Sequence, residues 1–62
     1  MIMTKQGVQI SVSGNNIVCS DGKMFTYSGG MLMGPGGTIS YGVSSINEAL
    51  GIVVGMYGGR AY

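Results

Sequence analysis

Hydrophobic and polar residues alternate along the first two thirds of the chain, in short runs separated by turn-forming residues. In the run Val8–Ser13, Val8, Ile10 and Val12 fall on one side and polar residues on the other. This period of two is typical of a half-buried β-strand. Similar runs follow and are also read as strands: Ile17–Ser20, Lys23–Ser28 and Thr38–Val43.

The connections between these runs are short and rich in glycine. Asp21-Gly22 is the dipeptide favoured in two-residue type I′ hairpins, and Gly34–Gly37 has the composition of another turn. We expect Gly29-Gly30 to form a bulge or bend before Met31–Met33. Because short connections force neighbouring strands to run antiparallel, residues 8–43 are predicted to form a four-stranded meander. Its last strand is expected to turn three residues inward: Ile39, Tyr41 and Val43.

The periodicity changes after residue 44. Ser45 and Glu48 have the spacing of a capping box, which marks the start of a helix. We therefore predict a helix over residues 45–57 and a short tail over 58–62, and the fold class is α+β. A strand over 51–57 is the alternative, because this segment is rich in β-branched residues. The helical spacing comes from apolar residues that form one stripe: Ile46, Ala49, Leu50, Val53, Val54 and Tyr57.

The other side of this predicted helix is also apolar, with Gly51 and Gly55 four residues apart. A helix that is apolar all round is buried all round, and four strands with one helix provide no second layer to cover it. We expect a second copy of the chain to do so, because small residues at this spacing let two backbones approach closely. Alternatively, these glycines let the helix approach its own sheet. The predicted interface, with terminal residues of types common in interfaces, comprises Gly51, Ile52, Gly55, Met56, Tyr57, Arg60 and Tyr62.

Length and composition strengthen the expectation of an oligomer. The 62 residues make one small domain over 1–62, and 13 of them are glycine, which is costly to order. Domains of this size are commonly stabilised by disulfides, metals or oligomerisation. One cysteine, no histidine and two acidic residues provide neither an internal disulfide nor a metal site. Oligomerisation is therefore the remaining way in which this small domain would be stabilised.

Charge and hydropathy exclude other classes of partner. Only Lys5, Lys23 and Arg60 are basic, which is too few for a patch that follows a phosphate backbone, so we expect no nucleic-acid partner. The longest apolar run, 49–59, is about half the ~20 residues of a membrane span, so we expect no membrane partner. Without a signal-peptide pattern, the lone cysteine indicates a cytoplasmic location.

Candidate catalytic groups are few. Without histidine there is no usual general base and no Ser–His or Cys–His pair. Asp21 is assigned to a turn, Glu48 to a helix cap and Cys19 to a strand, where a buried thiol is expected. The glycine-rich turn at 34–37 matches no phosphate-binding motif. We therefore predict a protein that is not an enzyme and holds neither cofactor nor metal.

The function that fits these features is a small, non-enzymatic protein-interaction module that acts as a homo-oligomer. Its partners would be a second copy and a protein target. Short chains with so little catalytic chemistry suit phages and mobile elements, where one specific hypothesis is an inhibitor of a host defence protein. Two alternatives belong to other classes. One is a small-ligand or nucleotide-binding module with its pocket at the subunit interface, and the other is a structural or capsid-associated subunit.

Overall fold

The protein is an α+β fold in which a six-stranded antiparallel sheet is followed by one C-terminal helix. The computed structural model describes residues 2–61. The order of the strands across the sheet is their order along the chain, so the sheet is a meander. The elements are β1 (Ile2–Met3), β2 (Gln9–Ser13), β3 (Asn16–Cys19), β4 (Met24–Ser28), β5 (Met31–Met33), a short 3₁₀ helix (Pro35–Gly37), β6 (Ile39–Tyr41) and α1 (Ile46–Met56).

The predicted count of four strands is wrong, because β1 and β5 are strands of their own. Gly29-Gly30 forms the two-residue turn between β4 and β5, rather than a bulge or bend. The φ angles of these glycines are +54° and +81°, and a left-handed conformation at both positions is the pattern of a type I′ hairpin. The chain therefore reverses at this point. Two residues are too short for β1 to show any alternation in the sequence.

The β3–β4 turn also differs from its prediction. It contains three residues, 20–22, and is closed by bonds from Cys19 N–H to the carbonyl of Lys23 (2.9 Å) and from Gly22 N–H to the carbonyl of Cys19 (3.0 Å). Within residues 2–61 only glycines have positive φ, so Asp21 does not adopt the type I′ conformation. Its carboxylate instead accepts a bond from the Lys23 N–H at 3.1 Å.

The predicted orientation of the last strand is wrong for two of its three residues. Ile39 and Tyr41 point away from the core and are 48% and 74% exposed, while Val43 is buried. The register explains this, because Leu32, which is buried, lies directly opposite Ser40. Gly42 then interrupts the strand with a φ of +72°. The alternation breaks there, so Val43 turns inward although Tyr41 does not.

The core lies between one face of the sheet and the buried stripe of α1. Directly opposed residues of neighbouring strands share a face, and the pairs Ile10–Cys19 and Ile17–Phe25 are fully inside. The apolar stripe predicted for the helix packs on this face. The buried core residues are Ile10, Ile17, Cys19, Phe25, Leu32, Val43, Ala49, Val53, Val54 and Tyr57.

The helix begins and ends close to its predicted positions. Its N-cap is Ser45, whose hydroxyl accepts a bond from the Glu48 N–H at 3.2 Å. The Glu48 carboxylate accepts from the Ser44 hydroxyl at 2.6 Å, so this carboxylate does not complete a capping box. At the other end, the N–H of Gly58 donates to the carbonyl of Gly55, and the N–H of Gly59 donates to the carbonyl of Val54. These two bonds form a Schellman motif. The alternative of a strand over 51–57 is therefore wrong.

The C-terminal segment lies along β1. The N–H of Lys5 donates to the carbonyl of Gly59 at 3.0 Å, and the N–H of Ala61 donates to the carbonyl of Met3 at 2.9 Å. Thr4 and Arg60 form an antiparallel bridge between these bonds. The described part of the predicted tail therefore covers the edge of the sheet that β1 would otherwise leave open.

Candidate interaction surfaces

The first candidate surface is the outward side of α1, here called the helix strip: Gly51, Ile52, Gly55 and Met56. Both glycines are exposed, Met56 is 44% exposed, and Ile52 is half-buried against the core. Apart from its chain neighbours and the nearby backbone of the same helix, a Cβ added at Gly51 or Gly55 would meet no atom of residues 2–61 within 4 Å. The hypothesis that these glycines bring the helix close to its own sheet is therefore wrong.

The other predicted interface residues do not join the helix strip. Tyr57 is buried, with 7% of its surface exposed, and belongs to the core. Arg60 is exposed and lies beside Thr4 at the edge of the sheet. Tyr62 lies outside the described residues. Of the seven residues predicted for the interface, the structure thus brings four together on one side of the helix.

The second candidate surface is the side of the sheet that faces away from α1, here called the open face. Its side chains alternate with those of the core and pair across strands, as in Val18–Met24 and Met33–Ile39. Isolated apolar residues on a surface are common, whereas large contiguous apolar patches mark interaction sites. Five apolar residues of this face are each more than a third exposed: Val18, Met24, Met33, Ile39 and Tyr41.

Within residues 2–61, no strand of the sheet carries an ionised side chain. Residues 24–47, which include β4, β5 and β6, contain no lysine, arginine, aspartate or glutamate. The five ionised residues of the chain lie outside the six strands. The sequence offered a sign of this face, because apolar residues occupy both alternating positions in Met31–Met33. The predicted inward orientation of Ile39 and Tyr41 conceals this face, because it places two of its exposed residues in the core.

A polar cluster joins the β3–β4 turn to the end of the helix. The Tyr57 hydroxyl donates to Oδ2 of Asp21 at 2.7 Å, and Nζ of Lys23 lies 4.0 Å from the same oxygen and 5.9 Å from the centre of the Tyr57 ring. The bond from Tyr57 holds the pKa of Asp21 below its usual value. Burial, and then the bond to Asp21, raises the pKa of Tyr57 above its usual value.

Cys19 lies next to this cluster but is enclosed in the core. Burial raises the pKa of its thiol, and this outweighs the opposing effect of a hydrogen bond with Tyr57. The thiolate is the nucleophilic form of cysteine, so this environment disfavours reactivity. The arrangement of Cys19, Asp21 and Tyr57 suits a structural link better than a reactive centre.

The chemistry available for a cofactor is limited in the described residues. Residues 2–61 contain no group of three or more histidine, cysteine, aspartate or glutamate side chains that would hold a metal ion. In the same part of the chain, no helix has the length and apolar character needed to cross a membrane.

Comparisons of the chain with protein-family models, with curated proteins and with solved structures find no match, so its function is inferred from the surfaces described above.

Proposed function

We propose that this protein is a non-enzymatic protein-interaction module that acts as a homo-oligomer. The observation that carries the proposal is the open face. In most folds a sheet buries a face against a second layer. Here the only α-helix of residues 2–61 packs on the face opposite the open face. The open face presents exposed apolar residues from several strands without any charge.

The chemistry of the open face favours a protein surface over other partners. Interface cores are depleted in charged residues and enriched in methionine and aromatic residues. Met24, Met33 and Tyr41 are of these types and are all exposed. A nucleic acid would need basic side chains near its phosphates, and all three basic residues of the chain lie outside the strands that form this face.

An interface of standard size would take up a large share of the surface of this chain. A standard interface buries ~800 Å² on each partner, which is more than a fifth of the 3611 Å² exposed by this chain. The helix strip follows an 11-residue helix about 17 Å long and roughly 10 Å wide. Six strands spaced ~4.8 Å apart extend about 24 Å across the sheet. The open face is therefore the larger of the two surfaces.

Association with a second copy is favoured by low charge and small size. Five ionised residues with a net charge of +1 create little repulsion between copies. A domain of 62 residues rich in glycine has a limited core, and burying apolar surface between copies adds to it. The helix strip remains the second candidate surface, suited to a protein target. An inhibitor of a host defence protein, working in the cytoplasm, is one form of this function.

The test is the mass of the purified protein in solution. Light scattering from low to high micromolar concentration is expected to give at least twice the chain mass of 6.4 kDa. The protein should unfold cooperatively at a temperature that rises with concentration, because association stabilises the folded state by mass action. A cooperatively folded monomer over the whole range would contradict the proposal.

A further inference from the structure

We propose that two copies pair through β6, antiparallel to one another and related by a two-fold axis at Ser40. This inference rests on the homo-oligomer proposed above and identifies its contact. The pairing would extend the two six-stranded sheets into one continuous sheet. Four features of the structure support it: the free edge, the phase of its hydrogen bonds, the side chains beside it and the absence of charge.

The first feature is that β6 is an open edge. The meander ends with β6, which pairs with β5 on one side only. The opposite edge, β1, is covered by the segment 59–61. An edge strand exposes unpaired N–H and C=O groups, and proteins protect it with charges, proline, bulges or short length. Among residues 2–61, β6 has only its length of three residues as protection.

The second feature is the direction of the backbone groups. The N–H of Gly34 donates to the carbonyl of Thr38 at 2.8 Å, so this pair is a hydrogen-bonded rung between the strands. Hydrogen-bonded and non-hydrogen-bonded pairs alternate along two antiparallel strands. Ser40 and its partner Leu32 therefore form the next hydrogen-bonded pair. Ile39 and Tyr41 therefore direct their backbone groups to the free edge. Pairing about Ser40 places Ile39 of one copy opposite Tyr41 of the other and makes about four hydrogen bonds.

The third feature is a group of four apolar side chains next to the edge, here called the β6 block: Met31, Met33, Ile39 and Tyr41. Met31 lies directly opposite Tyr41, and Met33 lies opposite Ile39, all on the open face. Pairing about Ser40 joins the blocks of two copies, with each Ile39 beside a Tyr41. Pairs of an aromatic and a β-branched residue are among the favourable cross-strand pairs. Tyr41 is the most exposed residue of the block, at 74%, and pairing would bury part of this exposed surface.

The fourth feature is electrostatic. With no ionised residue between 24 and 47, neither the edge nor the β6 block brings like charges together. The symmetry also matters, because a contact that uses the same surface on both copies closes after two. A filament would need β6 to pair with a different edge, and residues 59–61 cover β1. The expected assembly is thus a closed dimer with both helix strips on the same side of the joined sheet.

The test compares two double variants that place lysines on the open face. I39K/Y41K puts lysines opposite lysines across the proposed contact, which opposes pairing. V18K/M24K makes the same charge change at a directly opposed, exposed pair on β3 and β4, away from β6. We expect I39K/Y41K to raise the dimer dissociation constant about tenfold or more in light scattering. V18K/M24K should remain a dimer, and both variants should keep the circular dichroism spectrum of the native fold.

A second variant tests the two-fold axis and does not depend on the lysine variants being folded. Across a non-hydrogen-bonded pair the Cα atoms lie ~4.5 Å apart, which a disulfide spans. In a Cys19→Ala background, S40C is expected to oxidise to a dimer of twice 6.4 kDa. T26C, at a half-buried position on β4, should remain mostly monomeric on denaturing gels.

The outcomes separate this inference from the proposed function. If the native protein is a monomer, both fail. If the native protein is a dimer but I39K/Y41K is equally dimeric and S40C does not cross-link, the β6 contact is wrong and the homo-oligomer stands. If V18K/M24K dissociates as readily as I39K/Y41K, the contact involves the whole open face rather than the edge. A mass that grows beyond the dimer would overturn the closed two-fold pairing.

Discussion

The hydroxyl of Tyr57 donates a hydrogen bond to the carboxylate of Asp21 over 2.7 Å, although the two residues are 36 positions apart in the chain. This bond fixes the C-terminal end of α1 to the β3–β4 turn. The bond lowers the pKa of Asp21, while burial and then the bond raise the pKa of Tyr57. Both pKa shifts are in the direction that stabilises the folded state at neutral pH. The link therefore has a defined dependence on pH.

Tyr57→Phe removes the link, and we expect it to lower the free energy of unfolding most at neutral pH. The contribution of Asp21 is present above its unfolded pKa and is lost as pH falls below about 4. The contribution of Tyr57 is present below its unfolded pKa and is lost as pH rises above about 10. Urea titrations across this range should show a plateau in the difference between native and variant, narrowing at both ends. A difference independent of pH would contradict the link.

Gly34→Ala should destabilise the fold by packing rather than by backbone strain. The φ of Gly34 is −131°, which any residue adopts, but an added Cβ would lie 2.5 Å from Cε2 of the buried Phe25 ring. Such overpacking costs about 1–3 kcal/mol. Denaturant unfolding measures the change. Gly51→Ala is the matched control, since its Cβ meets open space and alanine is the better helix former. Equal stability of Gly34→Ala and the native chain would show that Phe25 moves freely.

Gly55 distinguishes the two candidate surfaces. If the subunits meet at β6, the helix strip is free of the dimer contact, and Gly55→Ala should stabilise the protein by up to about 1 kcal/mol without changing its mass. Thermal unfolding and light scattering on one sample measure both quantities. Gly55→Leu should likewise leave the mass unchanged. If Gly55→Leu instead dissociates the oligomer, the helix strip is the contact between copies, as the glycine spacing in the sequence predicted.

Cys19 should be protected from modification in the folded protein. The residue is 2% exposed and burial raises the pKa of its thiol, so a maleimide or disulfide reagent should label it only when the protein opens. Mass spectrometry of timed reactions, with and without urea, measures this protection. Rapid and complete labelling of the native protein would instead indicate an accessible, reactive thiol. Cys19→Ala should retain the oligomeric state, which makes it a suitable background for cross-linking.

Local patterns in the sequence predicted the elements that depend on neighbouring residues. Alternation in Val8–Ser13 and the helical spacing from Ile46 to Tyr57 both correspond to observed elements, and Ser45 is the N-cap as expected. Two of the errors arose where glycine changes the direction of the chain. Gly29-Gly30 reverses it and creates β5, and Gly42 breaks the alternation after Tyr41.

The candidate surfaces were less predictable, because they depend on distant parts of the chain. The helix strip followed from helical spacing alone, and its glycines are exposed as a contact surface requires. The open face depends on which side of the sheet the helix covers, which alternation does not specify. The closed edge at β1 depends on a pairing between Thr4 and Arg60, and neither residue has a local pattern that indicates its partner.

That pairing of Thr4 with Arg60 has a consequence for how this unit combines with other polypeptides. Met3 and Ala61 are joined by a backbone hydrogen bond of 2.9 Å, so the first and last segments of the described fold lie side by side. Domains with this geometry are tolerated as insertions, because they do not spread the loop that receives them. We therefore expect that the whole fold can be inserted into a surface loop of a carrier protein. Strand β6, at the opposite edge of the sheet, would then stay exposed.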